Sequence, residues 1–85
     1  MTLGDNIKYF RKLNGMSQQA FAEKMQTTQQ RVSEWERGKV EPSLYNLMRM
    51  LKVFSITFKE LTEGLEERWS RGAYEAAKGQ EAGGS

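Results

Sequence analysis

The chain has no cysteine and no histidine. That removes disulfides, thiol chemistry and the commonest zinc ligands, and it leaves no side chain that titrates near neutrality unless its surroundings shift it. Nothing else in the sequence supplies a nucleophile with a base, a phosphate loop or a metal-ligand cluster, so an enzyme reading is set aside and no cofactor or metal is expected. Long apolar runs are missing too. None approaches the roughly 18 residues of a membrane span, and the N-terminal MTLGDNIKY has no signal-peptide core. A cytoplasmic chain with no membrane partner is the expectation. Proline is scarce, and the one present, Pro42, cannot continue a helix through its position.

What remains is a chain of 85 residues, enough for one modest helical core but not for a separate effector-binding domain. Its net charge of +2 conceals an asymmetry. Residues 1–59 carry ten Lys and Arg against five Asp and Glu, whereas residues 60–85 carry three against six. The basic part favours a polyanionic partner, with an ordinary solvated basic surface as the alternative.

Helical periodicity runs through most of the sequence. Leu3, Ile7 and Phe10 recur on one face of a first helix over residues 4–12, and Asn14 and Gly15 suit its end because both tolerate left-handed backbone. Ser17 can cap a second helix that buries Phe21, Ala22 and Met25. Thr27 or Thr28 can cap a third, with Val32 and Trp35 inward and Gly38 as a left-handed stop. Ser43 can open a fourth that buries Leu44, Leu47, Met48 and Leu51, with Val53, Phe54 and Ile56 as a buried junction. Thr57 and Glu60 have the spacing of a capping box for a short fifth helix, with Phe58 and Leu61 on its apolar side and Gly64 closing it.

The second and third helices lie almost end to end in sequence. At about 100° per residue, burying Val32 and Trp35 turns Gln30, Ser33, Glu34 and Arg37 outward, with Gln29 on the flank. That outward face is polar, and Gln, Arg and Glu can pair with base edges in a major groove wide enough for a helix. Gln29, Gln30, Ser33, Glu34, Thr28 and Arg31 are therefore the candidate base-contacting residues. Two alternatives compete with this. Thr27 and Gln30 could form a capping box that occupies the Gln side chain, and Arg31 and Glu34, three apart, could pair with each other. Ser17 and Gln18, at the start of the second helix, are placed to meet a phosphate. Arg37 and Lys39 follow the third helix toward the expected duplex backbone, the alternative being a surface charge run.

This stretch resembles the helix-turn-helix of the phage repressor and Cro family. The resemblance rests on Thr27, Thr28, Gln29, Gln30, Val32, Glu36, Gly38 and Lys39 around the third helix, with Ala22, Val32 and Trp35 at the small and apolar positions. It covers about residues 3–64 and implies an all-α, compact five-helix lambda-repressor-like domain. It also implies a salt bridge between Arg11 and Glu36 joining the first and third helices; two exposed charges of little value are the alternative. The sequence departs from the family pattern at three positions. Gln26 occupies a turn position where the family usually has Gly, so a non-glycine residue must accept positive φ. Glu34 and Arg31 replace the Gln and small polar residue of similar repressors, so an operator cannot be carried over.

Residues 1–64 are read as the helix-turn-helix domain and residues 65–85 as a C-terminal extension. Within the extension, Leu65, Trp69, Ala73, Ala76 and Ala77 form an amphipathic stripe over residues 65–78, followed by a flexible GQEAGGS. Phe58, Leu61, Leu65 and Trp69 are the candidate dimerisation residues, with Trp69 folding back on the core as the alternative. The expected function is that of a sequence-specific regulator of transcription that binds double-stranded DNA. It is expected to act as a repressor, as a homodimer on a palindromic operator, because one helix reads too few base pairs to discriminate well. The competing class is an antitoxin-like regulator that works through a protein partner bound at the C-terminal extension.

Overall fold

Five helices, each opened by a serine or threonine side chain, make up residues 2–65, the part of the chain that the computed structural model describes. They are α1 (Leu3–Leu13), α2 (Gln18–Met25), α3 (Gln29–Arg37), α4 (Leu44–Phe54) and α5 (Phe58–Leu61), with no strand among the described residues. The amphipathic stripe beyond Leu65, Trp69 included, lies outside the described residues. No helix among the described residues is long and apolar enough to cross a membrane.

The hydroxyl caps fix where each helix begins. Ser17 accepts from the Ala20 N–H (3.0 Å), Thr28 from Arg31 (3.1 Å) and Ser43 from Asn46 (3.2 Å). Thr57 and Glu60 form the expected reciprocal box, and Thr2 and Asp5 form a second box not anticipated from the sequence. Each such cap contributes about 1 kcal/mol. The Thr2 N–H also holds the Asp5 carboxyl below the usual carboxylate range. Since that pKa is lowered in the folded chain, the carboxylate's half of this box contributes near neutrality and is lost as pH falls through the lowered value, while the Thr2 hydroxyl keeps its bond to the Asp5 N–H. The proposed Thr27–Gln30 box does not form, because Thr28 takes the cap position and its partner is the Arg31 N–H.

Ile7, Phe21, Ala22, Met25, Val32, Trp35, Met50, Phe54 and Leu61 are buried together. Phe54 stacks on Phe21 with ring centroids 4.9 Å apart and lies 5.9 Å from Phe10. The expected phase of α4 needs correction. Leu44 and Met48 are 68% and 56% exposed, whereas Met50 and Phe54 are buried and Leu47 and Leu51 pack against them. The inward face is thus 47, 50, 51 and 54. Apolar residues surround much of this helix, so periodicity alone permits either phase, and the stacking of Phe54 on Phe21 selects one.

Two further contacts escape any reading of periodicity. Gly4 packs its backbone on the C-terminal turn of α3, so closely that a Cβ there would collide with the carbonyl oxygens of Trp35 and Glu36. The buried Asn6 side chain donates to the carbonyls of Leu61 (2.8 Å) and Glu63 (2.9 Å), satisfying acceptors that the end of α5 leaves open. Leu61 is completely buried, so it belongs to the core and not to an intermolecular surface. Phe58, expected on the apolar side of α5, instead stands half exposed.

Trp35 is 1% exposed, and its Nε1 has no acceptor among the described residues. An unmet buried donor costs about 1–3 kcal/mol, less than the roughly 3–5 kcal/mol lost on truncating a buried Trp to Ala. Burial of the ring therefore dominates. Trp35→Ala should cost about 3–5 kcal/mol in denaturant unfolding, most of the stability of a small domain, and Trp35→Phe should recover much of that because it removes the donor and keeps an aromatic ring. A melting temperature unchanged in Trp35→Ala would show that α3 is rotated away from this phase.

Candidate nucleic-acid interface

The geometry of the face starts with the turn between α2 and α3. Gln26 adopts left-handed backbone (φ 57°, ψ 44°), as expected where a glycine is more usual. This conformation costs a non-glycine residue roughly 1–2 kcal/mol. In return the chain reverses at once, with the Thr27 N–H bonded to the Ala22 carbonyl (2.9 Å), so that α3 begins at Gln29. Val32 and Trp35 then anchor α3 in the core.

That anchoring decides which polar side chains face out. Gln29, Gln30, Arg31 and Arg37 are exposed, while Ser33 and Glu34 are half-buried. Neither Gln29 nor Gln30 makes a side-chain hydrogen bond among the described residues, so both amides remain available at the start of the helix. Thr28 is exposed, but its oxygen is engaged as the cap. Arg31 and Glu34 adopt the competing arrangement, with Nε 3.5 Å from Oε1. A pair this exposed contributes little to stability, though it offsets the repulsion that Glu34 would exert on an approaching anion. Arg37 directs Nε toward the Ser33 carbonyl (3.4 Å), and Lys39 is exposed just past Gly38, whose φ of 74° ends α3 as expected.

Beneath this surface lies the charge pair that the resemblance implied. Arg11 and Glu36 are buried, with Nε 2.5 Å from Oε2 and Nη2 3.1 Å from Oε1. Arg11 Nη1 also donates to the Met16 carbonyl (2.8 Å), and the Gln18 amide donates to Glu36 Oε1 (3.1 Å). The alternative of two exposed charges is thereby excluded. Gln18, expected at a phosphate, stands at the start of α2, but its amide is tied to Glu36 and contributes to the scaffold. Ser17 beside it is exposed, its oxygen engaged by the Ala20 N–H.

Sequence reasoning missed Arg49 on α4, whose Nη2 donates to Gln26 Oε1 (3.1 Å). The available signal was weak. A basic residue on a helix outside the motif carries no spacing that links it to a turn 23 residues earlier.

The chain matches the helix-turn-helix family over residues 7–61. It is 30% identical over 66 residues to the HTH-type transcriptional activator BcrR of Enterococcus faecalis, covering 78% of this chain and 32% of that protein. It is 32% identical over 68 residues to the HTH-type transcriptional regulator DicA of Escherichia coli, covering 80% and 50% respectively. An uncharacterized HTH-type transcriptional regulator of Methanocaldococcus jannaschii is 28% identical over 57 residues, covering 67% and 86%. The chain thus spans about a third of the first of these relatives and half of the second.

The buried pair generates a stability prediction. Glu36→Ala leaves the Arg11 guanidinium buried without its carboxylate and should cost about 3–5 kcal/mol. Replacing both partners with apolar residues of similar size should cost much less than the two single losses combined. Urea unfolding of the four chains measures this, and strictly additive losses would mean that the two charges do not act on each other.

Proposed function

Because this chain belongs to the helix-turn-helix family, we propose that it is a sequence-specific regulator of transcription that binds double-stranded DNA as a homodimer and represses from a palindromic operator. The observation that carries this reading is the pair of unengaged glutamine amides, Gln29 and Gln30, on the exposed first turn of a helix whose other side is locked into the core. Helix α3 enters the major groove, with Gln30 as the principal reader of base edges, Gln29 beside it and the Arg31–Glu34 pair following. Ser17, Gln18, Arg37 and Lys39 are assigned to the sugar-phosphate backbone on either side. Gln18 reaches it through its backbone N–H at the start of α2, since its side chain is occupied. The excess of Lys and Arg in residues 1–59 supports this partner. The family and the transcriptional regulators it resembles point to a non-enzymatic protein.

Repression is proposed because a domain seated on an operator excludes other proteins by occupancy alone, whereas activation requires a further contact. A promoter–reporter fusion carrying the duplex that the chain selects from random sequence tests the sign. Gln30 and Lys39 test the mechanism because their substitutions should fail in different ways. Gln30→Ala should weaken the best duplex by roughly 1–3 kcal/mol per half-site, spare non-specific binding and relax preference at one position. Lys39→Ala should weaken all duplexes alike and lower the slope of log affinity against log salt by about one unit for each phosphate that is no longer neutralised. If Gln30→Ala lowers specific and random-duplex affinity equally, the antitoxin-like or protein-interaction alternative gains what this reading loses.

The dimer is assigned to the surface around α5. Phe58 is 51% exposed there, and Leu65 is half-buried at the edge of the described residues. Trp69 and the amphipathic stripe over residues 65–78, within the proposed extension of residues 65–85, are assigned to the same interface. Sedimentation on a palindromic duplex should show two chains per site, with Phe58→Glu weakening that complex at least about tenfold, as expected of an exposed aromatic anchor. A complex of one chain per palindrome would refute the assembly.

A further inference from the structure

We propose that Arg49 is a positioning residue for the recognition helix, holding the α2–α3 turn through the side chain of Gln26. The inference rests on the DNA-binding reading above and extends it to a helix outside the helix-turn-helix. Gln26 has positive φ, a conformation that a glycine would adopt without strain, but a glycine would have no side chain for α4 to hold. Arg49 Nη2 donates to Gln26 Oε1 at 3.1 Å, while the guanidinium lies over the Tyr45 ring, 5.5 Å from its centroid. The guanidinium is thus held both by an aromatic ring within cation–π range and by one hydrogen bond, which together restrict its direction. The helix carrying it is itself fixed, since the neighbouring Met50 is fully buried. Arg49 has no carboxylate partner among the described residues.

The consequence falls on the first turn of α3. Gln29 and Gln30 follow Gln26 within four residues, and their amides must meet base edges within hydrogen-bonding tolerance. A turn free to pivot would have to be ordered on binding, which lowers affinity without altering any contact to DNA. The Tyr45–Arg49–Gln26 brace removes part of that cost beforehand.

A double-mutant cycle on the full chain tests this with Gln26→Ala, Arg49→Met and their combination, using the duplex that the unmodified chain selects from random sequence. Affinities are measured over a range of salt, alongside thermal melts and amide hydrogen exchange without DNA at Gln26 and Thr27, whose N–H groups are bonded to α2 carbonyls. Each single substitution should weaken the selected duplex about three- to tenfold per half-site, the effect of losing one hydrogen bond in each chain. The double variant should be no weaker than the worse single, the salt slope should not change, and exchange should rise equally in all three. Arg49→Lys, which keeps the charge and loses the planar fork, should behave like Arg49→Met and serves if that variant melts early. Additive losses, or no loss, would overturn the proposal. So would a salt slope that falls by about one unit per half-site in Arg49→Met even when Gln26 is already Ala, the signature of a direct phosphate contact. If the unmodified chain selects no duplex, the DNA-binding reading fails on its own, and the exchange data still decide whether the brace holds the turn.

Discussion

The arrangement of the first three helices depends on how the charges of Arg11 and Glu36 are satisfied out of water. Moving an ion into a protein interior costs several kcal/mol even after relaxation, and a partner repays this only when the geometry is good and the remaining donors and acceptors are met. Here they are met from four places. Arg11 comes from α1, the Met16 carbonyl from the following loop, Gln18 from the first turn of α2 and Glu36 from the last turn of α3. A small rotation of any one element would leave a charge exposed to the low-dielectric interior. The pair therefore works less as a source of net stability than as a constraint on orientation. Gly4 makes the constraint possible, since only a residue without Cβ lets α1 approach the α3 carbonyls this closely.

This lock holds the C-terminal end of α3, and Val32 and Trp35 hold its middle. Its first turn is held differently. Thr28 supplies a cap, Gln26 supplies a strained reversal just before it, and the Arg49 hydrogen bond from α4 reaches that reversal. The end proposed to read DNA is thus the least buried end, as expected of a site that must present unpaired polar groups and still be aimed.

How much of this the sequence disclosed follows from the kind of signal each feature leaves. Local features were legible. The hydroxyl caps at Ser17, Ser43 and Thr57, the left-handed residue Gly38, and the inward pair Val32 and Trp35 each depend on residues within one or two turns, whereas positive φ at Gln26 was expected only from the family resemblance. The five-helix plan was legible for the same reason. The phase of α4 was not, because apolar residues on several sides let Leu44 and Met48 look as buriable as Met50 and Phe54. Leu61 was misassigned to a surface for a related reason: a short helix shows one apolar side but not what covers it. The fit of Gly4 on α3, the Asn6 bridge to the end of α5 and the Arg49 brace join residues roughly 20 to 60 positions apart. No local pattern encodes such pairings. The Arg11–Glu36 bridge, equally distant, was anticipated only through a family resemblance.

The short free surface of α3 has a consequence for assembly in the proposed reading. Of the outward residues, Ser33 and Glu34 are half-buried, so the exposed readers before the last turn reduce to Gln29, Gln30 and Arg31. Arg31 is already drawn toward Glu34. That contact neutralises a carboxylate which would otherwise oppose a phosphate, but it narrows the set of free base readers to two amides. Each bidentate base contact discriminates by about 1–3 kcal/mol, so one copy distinguishes its site from random duplex only weakly against the many competing sequences of a genome. Two copies on a palindrome roughly double that free energy, turning a modest preference into its square. A chain with so few free readers gains specificity chiefly through symmetry.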